Sequence, residues 1–276
     1  MGGLKVFHTV GTLKALAPIH HGGDEKTGST PLLRTITVYN PDTTRYYEIP
    51  YISGNTVQGR LRRLLMADWL ALLGVDLTNA KLYHTLFAGG TLEESEEESG
   101  YIDLELRRKI YHLLPPVALF GGTFGNQIIS SRLIVGHMFP KCAELEGILY
   151  PKNAGLPPVR SLTAFSFITR RDELQLPRDE NEQAVQMKVD YLCFVPGTEF
   201  SHQFHICPTT PLLESALGRA IELWKEVPFI GGRSAGGEGA LEISYDPLPD
   251  SGLYLEFVTQ NANAACELLA TLEKVI

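Results

Sequence analysis

The stretch of residues 55–74 limits the fold more than any other part of the chain, because its pattern predicts one long amphipathic helix. Its apolar residues recur at the spacing of a single helix face, at Val57, Leu61, Leu65 and Trp69. Asn55, with Gln58 three residues later, predicts a capping box at the N-terminal end, and Gly74 predicts the C-terminal end. Such a continuous apolar face needs another layer of structure to cover it.

A second amphipathic helix is predicted from Thr210, a capping residue that Pro211 follows at the first helical position. Extended segments are predicted around the two helices, at residues 3–17, 32–39, 46–52, 184–195, 198–206, 240–245 and 253–258. A closing helix is predicted to turn Ala265, Leu268, Leu269 and Leu272 inward. Because strands and helices do not alternate as regular βα units, we expect an α+β fold. It is close to the ferredoxin-like βαββαβ topology of RRM domains, with insertions.

Charge is distributed unevenly over the 276 residues, whose net charge is −8. A net negative charge argues against nucleic acid as a partner. Five glutamates lie within residues 91–100, however, and without them −8 becomes −3. The basic residues cluster in three short segments, at 60–63, 107–109 and 170–171. Local patches set the field that a phosphate meets, so the net charge does not exclude nucleic-acid binding.

The sequence predicts neither a metal site nor a membrane segment. The four cysteines form no CxxC pair, which favours buried thiols over a zinc site or a disulfide framework. The longest apolar run, residues 64–73, is too short to cross a bilayer, and the first residues lack the apolar core of a signal peptide. We therefore expect a cytoplasmic protein with no membrane partner, no metal and no cofactor.

Two segments have the composition of phosphate contacts. Residues 231–239, GGRSAGGEG, contain five glycines, whose amides can approach an anion closely, and Arg233 adds a charge. Residues 53–63, SGNTVQGRLRR, place helix-start amides beside three arginines. A flexible turn and a solvated basic helix face are the alternative interpretations. No Gly-Lys-Ser/Thr loop is present, so the glycines do not predict ATP binding.

A third polar group, residues 20–25 (HHGGDE), offers two histidines and two carboxylates for metal or acid–base chemistry. No metal-ligand spacing supports that chemistry, so a polar loop is the preferred interpretation.

Taken in order, five segments resemble the RAMP superfamily of CRISPR-associated proteins. Within it, they resemble the backbone subunits of class 1 effector complexes, such as those of type I, type III and type IV. The segments are HHGGDEKTG, STPLLR, YISGNTVQGRLRR, ALFGGTFGNQIISSRLIV and PFIGGRSAGGEGAL. They follow the order and the approximate spacing of the family over nearly the whole chain.

The resemblance implies a molecule shaped like a hand, with an RRM-like palm, an inserted finger region and a thumb hairpin. It implies a single domain with insertions over residues 1–276. The palm would comprise residues 1–74, 113–158 and 185–276, the fingers about residues 75–112 and the thumb about residues 159–184.

The resemblance also implies a function, the non-catalytic binding of a CRISPR guide RNA (crRNA) in antiviral defence. Copies of the protein would stack along the guide, and each thumb would kink it. The other implied partners are a complementary target strand (DNA or RNA) and other CRISPR effector subunits. The implied RNA-binding residues are Ser53, Asn55, Gln58, Arg60, Arg62, Arg160, Arg170, Arg171, Gly231, Gly232, Arg233 and Ser234.

Two positions depart from the family. Gln58 stands where the family has lysine, which weakens one phosphate contact unless Arg60 replaces it. Ser29 stands where RNA-cutting members carry aspartate, and this favours a subunit that does not cut. The main alternative is an endoribonuclease that cuts target RNA with Asp24 and a divalent metal, or processes the guide with His20 or His21. A third interpretation is an acidic α+β protein unrelated to nucleic acid.

Overall fold

The structure, a computed structural model, describes residues 5–27, 30–90, 103–125, 127–170 and 187–274, with the backbone alone for residues 24–27, 170 and 187. The strands are β1 (Phe7–Ala15), β2 (Gly22–Thr27), β3 (Thr30–Leu33), β4 (Thr35–Asn40), β5 (Arg45–Pro50), β6 (Gly122–Phe124), β7 (Gln127–Ile129), β8 (Leu133–Val135), β9 (Phe139–Pro140), β10 (Thr163–Arg170), β11 (Met187–Phe194), β12 (Glu199–Ile206) and β13 (Leu241–Asp246). The helices are α1 (Gly54–Leu73), α2 (Ala80–Ala88), α3 (Leu104–Leu113), α4 (Pro115–Phe120), α5 (Pro211–Glu226), α6 (Gly252–Gln260) and α7 (Ala262–Leu272). Short 3₁₀ turns lie at Ala143–Leu145, Val159–Leu162 and Ser234–Gly236.

An antiparallel sheet in the order β13–β1–β12–β8, with β9 beside β12, forms the centre of the molecule. Numbered along the chain, its four main strands lie in the order fourth, first, third, second. Helix α1 lies between the first and second of these strands, and α5 lies between the third and fourth. This is the ferredoxin-like βαββαβ arrangement, so the predicted α+β, RRM-like fold is confirmed.

The two predicted amphipathic helices form the layer that covers this sheet. Trp69 of α1 and Trp224 of α5 are buried in the same core as Leu13 of β1. The Asp68 carboxylate ties the helices together, because its two oxygens accept hydrogen bonds from Arg219 at 2.5 and 3.2 Å. The apolar stripes of the sequence therefore become one face of a two-layer core.

The N-terminal end of α1 differs from the prediction. The cap is Ser53, whose Oγ accepts a hydrogen bond from the Thr56 amide at 3.4 Å, and the predicted capping box at Asn55 is wrong. The helix begins at Gly54, directly after this cap, and Gly54 is pressed against β8. A Cβ on Gly54 would lie 2.5 Å from the Val135 carbonyl oxygen. Asn55 is therefore already inside the helix, where its side chain is exposed.

Residues 20–25, predicted as a polar loop, run into strand β2, which pairs with β3, so that prediction is wrong in part. Glycine allows the close approach that this pairing needs. A Cβ on Gly23 would lie 3.2 Å from the Arg34 Cα. A second hairpin, β4–β5, covers a small apolar cluster around Ile49, Cys142 and Leu145.

Strands β10 and β11 form a two-stranded hairpin, in register from the Thr163–Phe194 pair to the Arg170–Met187 pair. The range predicted for the thumb contains β10, whereas β11 falls in the range predicted for the palm. Residues 171–186, between the two strands, lie outside the described residues. The division into palm, fingers and thumb stays a prediction.

The range predicted for the fingers contains α2 and most of α3, and the acidic residues 91–100 lie outside the described part. Residues 253–258, predicted as a strand, belong to helix α6, so that prediction is wrong. Tyr254 and Val258 are both buried one helical turn apart, and the Tyr254 amide donates to Ser215 Oγ of α5 at 2.9 Å. Among the described helices, none has the length and apolar character needed to cross a membrane.

Candidate nucleic-acid interface

A cleft of about 170 Å³ lies between the start of α1 and the glycine-rich segment, residues 231–239. Thr56, Arg60 and Arg63 line the helix side, at the spacing of one helix face. The other side is lined by Phe229, Ile230, Gly231 and Ser234. The two segments predicted separately as phosphate contacts therefore meet at one place. Pockets for whole small molecules measure about 300–1,000 Å³, so this cleft suits one charged group of a larger ligand.

The cleft is electropositive because two arginines share it. Burial, and then the charge of Arg63, lower the pKa of Arg60 from its ordinary value. The Arg60 guanidinium donates one hydrogen bond, to the Val227 carbonyl oxygen at 2.9 Å. Its Nε is buried and has no partner among the described residues. An anion bound beside the two arginines would relieve their mutual repulsion.

The glycine-rich segment is a folded turn. Gly231 has a φ of 84° and Gly239 a φ of 83°. A Cβ would lie 2.7 Å from the His20 carbonyl oxygen in the first case and 2.0 Å from the Ile230 carbonyl oxygen in the second. Several amides of the segment already donate to protein carbonyls, those of Gly232, Gly236, Gly237 and Gly239. The glycines thus shape the wall of the cleft, and its positive charge comes from side chains.

A polar cluster anchors this segment to β11. The Tyr191 hydroxyl donates a hydrogen bond to Glu238, and the Arg233 guanidinium lies 3.8 Å from the centre of the tyrosine ring. The His20 ring packs edge-on against the same ring at 5.4 Å. Burial, followed by the hydrogen bond with Glu238, raises the pKa of Tyr191, so the hydroxyl stays a donor at neutral pH. Arg233 is therefore turned toward the hairpin and is not among the residues that line the cleft.

Arg62 has a different environment from the one implied by the resemblance. Its side chain is 7% exposed, and its guanidinium donates to the Phe120 carbonyl oxygen at 2.6 Å and to the Gly121 carbonyl oxygen at 2.9 Å. Burial lowers the pKa of Arg62 to about 10, which leaves it charged at neutral pH. Because its donors are occupied inside the protein, we assign Arg62 a structural role and leave it out of the interface.

Ser53 and Gln58 also make contacts inside the protein. Ser53 is 6% exposed and caps α1, and Gln58 Nε2 donates to the Phe120 carbonyl oxygen at 3.4 Å. Gln58 and Arg62 are four residues apart on one face of α1, and both side chains donate to the Phe120 carbonyl oxygen. Asn55 and Gly232 are exposed, but neither lines the cleft.

Arg160, another implied residue, is not among the residues that line the cleft. Arg160 is exposed in the 3₁₀ turn before β10. The side chains of Arg170 and Asp24 lie outside the described part, as does the whole of Arg171.

The His21 side chain accepts a backbone hydrogen bond at the start of α1. Its Nε2 accepts a hydrogen bond from the Ser53 amide at 3.3 Å, and His137 Nδ1 accepts one from the Gly54 amide at 3.0 Å. Burial lowers the pKa of His21 to about 4, with a smaller effect from the charge of Arg34. The ring is therefore neutral at physiological pH, and its lone pair is engaged by the backbone.

Thr56 and Arg63 line the cleft, yet both are missing from the residues that the resemblance implies. Their spacing could have revealed them, because Thr56, Arg60 and Arg63 follow one another at intervals of four and three residues. Applying helical periodicity to the polar residues as well as to the apolar ones would have separated this face from the one that carries Arg62.

No family model matches the sequence, and no curated protein matches it. The fold is similar to that of a chain in a solved structure described as "Type IV-B CRISPR Complex". The TM-score is 0.61 at 22% sequence identity, and the match covers 87% of this chain and 91% of that one. At this level of identity the similarity establishes a shared fold.

Proposed function

We propose that this protein is a guide-RNA-binding backbone subunit of a CRISPR effector complex, and that it binds without cutting. The similarity of its fold to a chain of a type IV-B CRISPR complex supports a role as a subunit of such a complex. The order of the sequence segments supports the finer assignment to a backbone subunit. Its partners in this proposal are the guide, a complementary target strand, further copies of the chain and other effector subunits, in the cytoplasm.

The observation that carries the proposal is the cleft that Arg60 and Arg63 line from the α1 side. Its described lining contains two arginines and no carboxylate, although the protein as a whole has a net charge of −8. Its size suits a single phosphate of a strand that continues past it on both sides. Contacts of this kind hold the backbone of a nucleic acid and carry no sequence information, as a subunit repeated along a guide requires.

Two observations support binding without cleavage. The His21 lone pair is engaged by the Ser53 amide, which argues against that nitrogen as a general base. Ser29 occupies the position at which the RNA-cutting relatives are expected to carry an aspartate, and a neutral hydroxyl is a poor magnesium ligand.

Salt dependence of RNA affinity tests the cleft. Each phosphate contact to a single strand contributes about −0.7 to the slope of log affinity against log salt. We expect Arg63→Met to flatten the slope by about 0.7 per bound protomer. Arg108→Met, a matched exposed arginine on α3, should leave the slope unchanged. The measurement is fluorescence anisotropy of a labelled single-stranded RNA of mixed sequence, titrated at several salt concentrations.

Equal slopes for Arg63→Met and the unchanged protein would remove the cleft from the RNA interface. If neither protein bound RNA and the purified material carried none, the guide-binding proposal itself would fail. The ratio of absorbance at 260 and 280 nm shows directly whether the purified protein carries RNA.

A further inference from the structure

A groove of about 470 Å³ lies between α3 and α7, in a part of the chain that the RNA-binding proposal does not use. Leu106 and Leu113 line it from α3, and Ala264 and Leu268 line it from α7. In each helix these positions lie on one face, at spacings of seven and four residues. The groove is therefore a trough between two helices with an apolar floor.

The rim of the groove is acidic. Among the described residues, Asp103, Glu105 and Glu267 line it together with one cation, Lys109. Lys109 pairs with Glu105 at 2.8 Å, and the Asp103 carboxylate caps α3 by accepting a hydrogen bond from the Leu106 amide at 2.8 Å. With three carboxylates and one cation among the described lining residues, the rim keeps a net negative charge. An occupant that combines an apolar face with positive flanks would match both the floor and the rim.

The length of the groove sets the size of the occupant. Its α3 wall extends from Asp103 to Leu113, and ten residues of helix span about 15 Å. An occupant helix of roughly three turns would lie along it, with apolar anchors two turns apart opposite Leu106 and Leu113.

We propose that this groove docks a basic amphipathic helix of another protein. The partner would present leucine-like anchors to the floor and lysine or arginine to the acidic rim. A second copy of this chain is a poorer fit. Among the described helices with clustered or paired basic residues, α1 and α5 bury their apolar faces in the core of the chain, and α3 is itself a wall of the groove.

The test uses two synthetic helical peptides of equal length, each labelled with fluorescein, and the full-length protein. One peptide combines leucine with lysine in an amphipathic pattern, and the other replaces every lysine with glutamate. Ala264→Phe fills the groove, whereas Ala270→Phe places the same side chain on an exposed position of the same helix outside the groove. Circular dichroism melting of both variants shows whether each one remains folded.

We expect the lysine peptide to bind the unchanged protein and Ala270→Phe equally, and Ala264→Phe at least about tenfold more weakly. Glu267→Lys should weaken binding in the same direction without filling the groove, which keeps the test valid if Ala264→Phe fails to fold. The glutamate peptide should bind none of the proteins at the same concentrations.

Four results would overturn the proposal. The first is that the lysine and glutamate peptides bind the unchanged protein equally. The second is that folded Ala264→Phe and Ala270→Phe bind the lysine peptide with equal affinity. The third is that Glu267→Lys binds the lysine peptide as tightly as the unchanged protein does. The fourth is a sedimentation shift showing that the protein self-associates through the groove, because Ala264→Phe abolishes the association while Ala270→Phe does not. That last result would assign the groove to a second copy of the chain.

Discussion

Replacing Arg62 separates its structural role from a role in RNA binding. In Arg62→Met the apolar stem is largely kept, but the hydrogen bonds to the Phe120 and Gly121 carbonyl oxygens, at 2.6 and 2.9 Å, are lost. A hydrogen bond from a charged donor contributes about 1.5–3 kcal/mol. Removing a buried charge offsets part of that loss. We expect the free energy of unfolding to fall by about 2–4 kcal/mol.

The matched variant is Arg63→Met, one residue away on the exposed side of α1. An exposed substitution of this kind changes stability by about 0.5 kcal/mol or less. For a domain of this size, each kcal/mol lowers the melting temperature by about 2–4 °C. Arg62→Met should therefore melt about 4–16 °C lower than the unchanged protein, while Arg63→Met should melt close to it.

The assay is thermal unfolding followed by circular dichroism, with the salt slope of RNA affinity measured on the same samples. Arg62→Met should lose stability and keep the salt slope of the unchanged protein. Arg63→Met should keep its stability and show a flatter salt slope. Equal melting temperatures for the two variants, or a flatter slope for Arg62→Met, would refute the structural assignment of Arg62.

Three further predictions concern assembly, cleavage and acid stability. With guide RNAs of increasing length, the sedimenting particle should grow in steps, because head-to-tail contacts that do not close produce open assemblies; a dimer of constant mass would contradict this. An end-labelled complementary RNA should stay intact in magnesium or manganese, and regular cuts that vanish in Asp24→Ala would identify a nuclease instead. Burial lowers the pKa of His202 from 6.5 to about 3, so the unfolded chain takes up a proton first and stability falls as the pH drops from 6.5 toward 3. His202 should contribute about 2 kcal/mol of this loss by about pH 5, as measured from urea midpoints. His202→Gln should lose less stability over this range, because the contributions of His21 and His205 remain while that of His202 is gone, and an equally steep fall would contradict the assignment.

Periodicity was sufficient to predict the main layers of the fold. The apolar stripe of α1, the Thr210–Pro211 start of α5 and the inward residues of α7 all appear in the structure as expected. These patterns are local, and one buried face dictates each of them. The strand prediction for residues 253–258 was wrong because a short, nearly continuous apolar run fits a strand and a helix equally well. Packing of Tyr254 against α5 decides between the two, and that contact joins residues 39 positions apart.

The candidate site was less visible for the same reason. Whether an arginine near the start of a helix faces solvent or the protein depends on which distant carbonyl groups need a donor. Arg62 meets the carbonyl oxygens of residues 120 and 121, which end helix α4, and nothing near Arg62 in the sequence indicates them. Arg60 and Ser234 line the same cleft only because the tertiary fold brings their segments together.

The hydrogen bond between Tyr191 and Glu238 connects the β10–β11 hairpin to the wall of the cleft. Tyr191 belongs to β11, and Glu238 belongs to the segment that forms a wall of the cleft. A displacement of the hairpin therefore pulls on that wall, and an anion that fixes the wall resists the displacement. The two events share a coupling free energy that acts equally in both directions. Whatever factor a ligand at the far end of the hairpin applies to anion affinity at the cleft, the anion would apply the same factor to the affinity of that ligand.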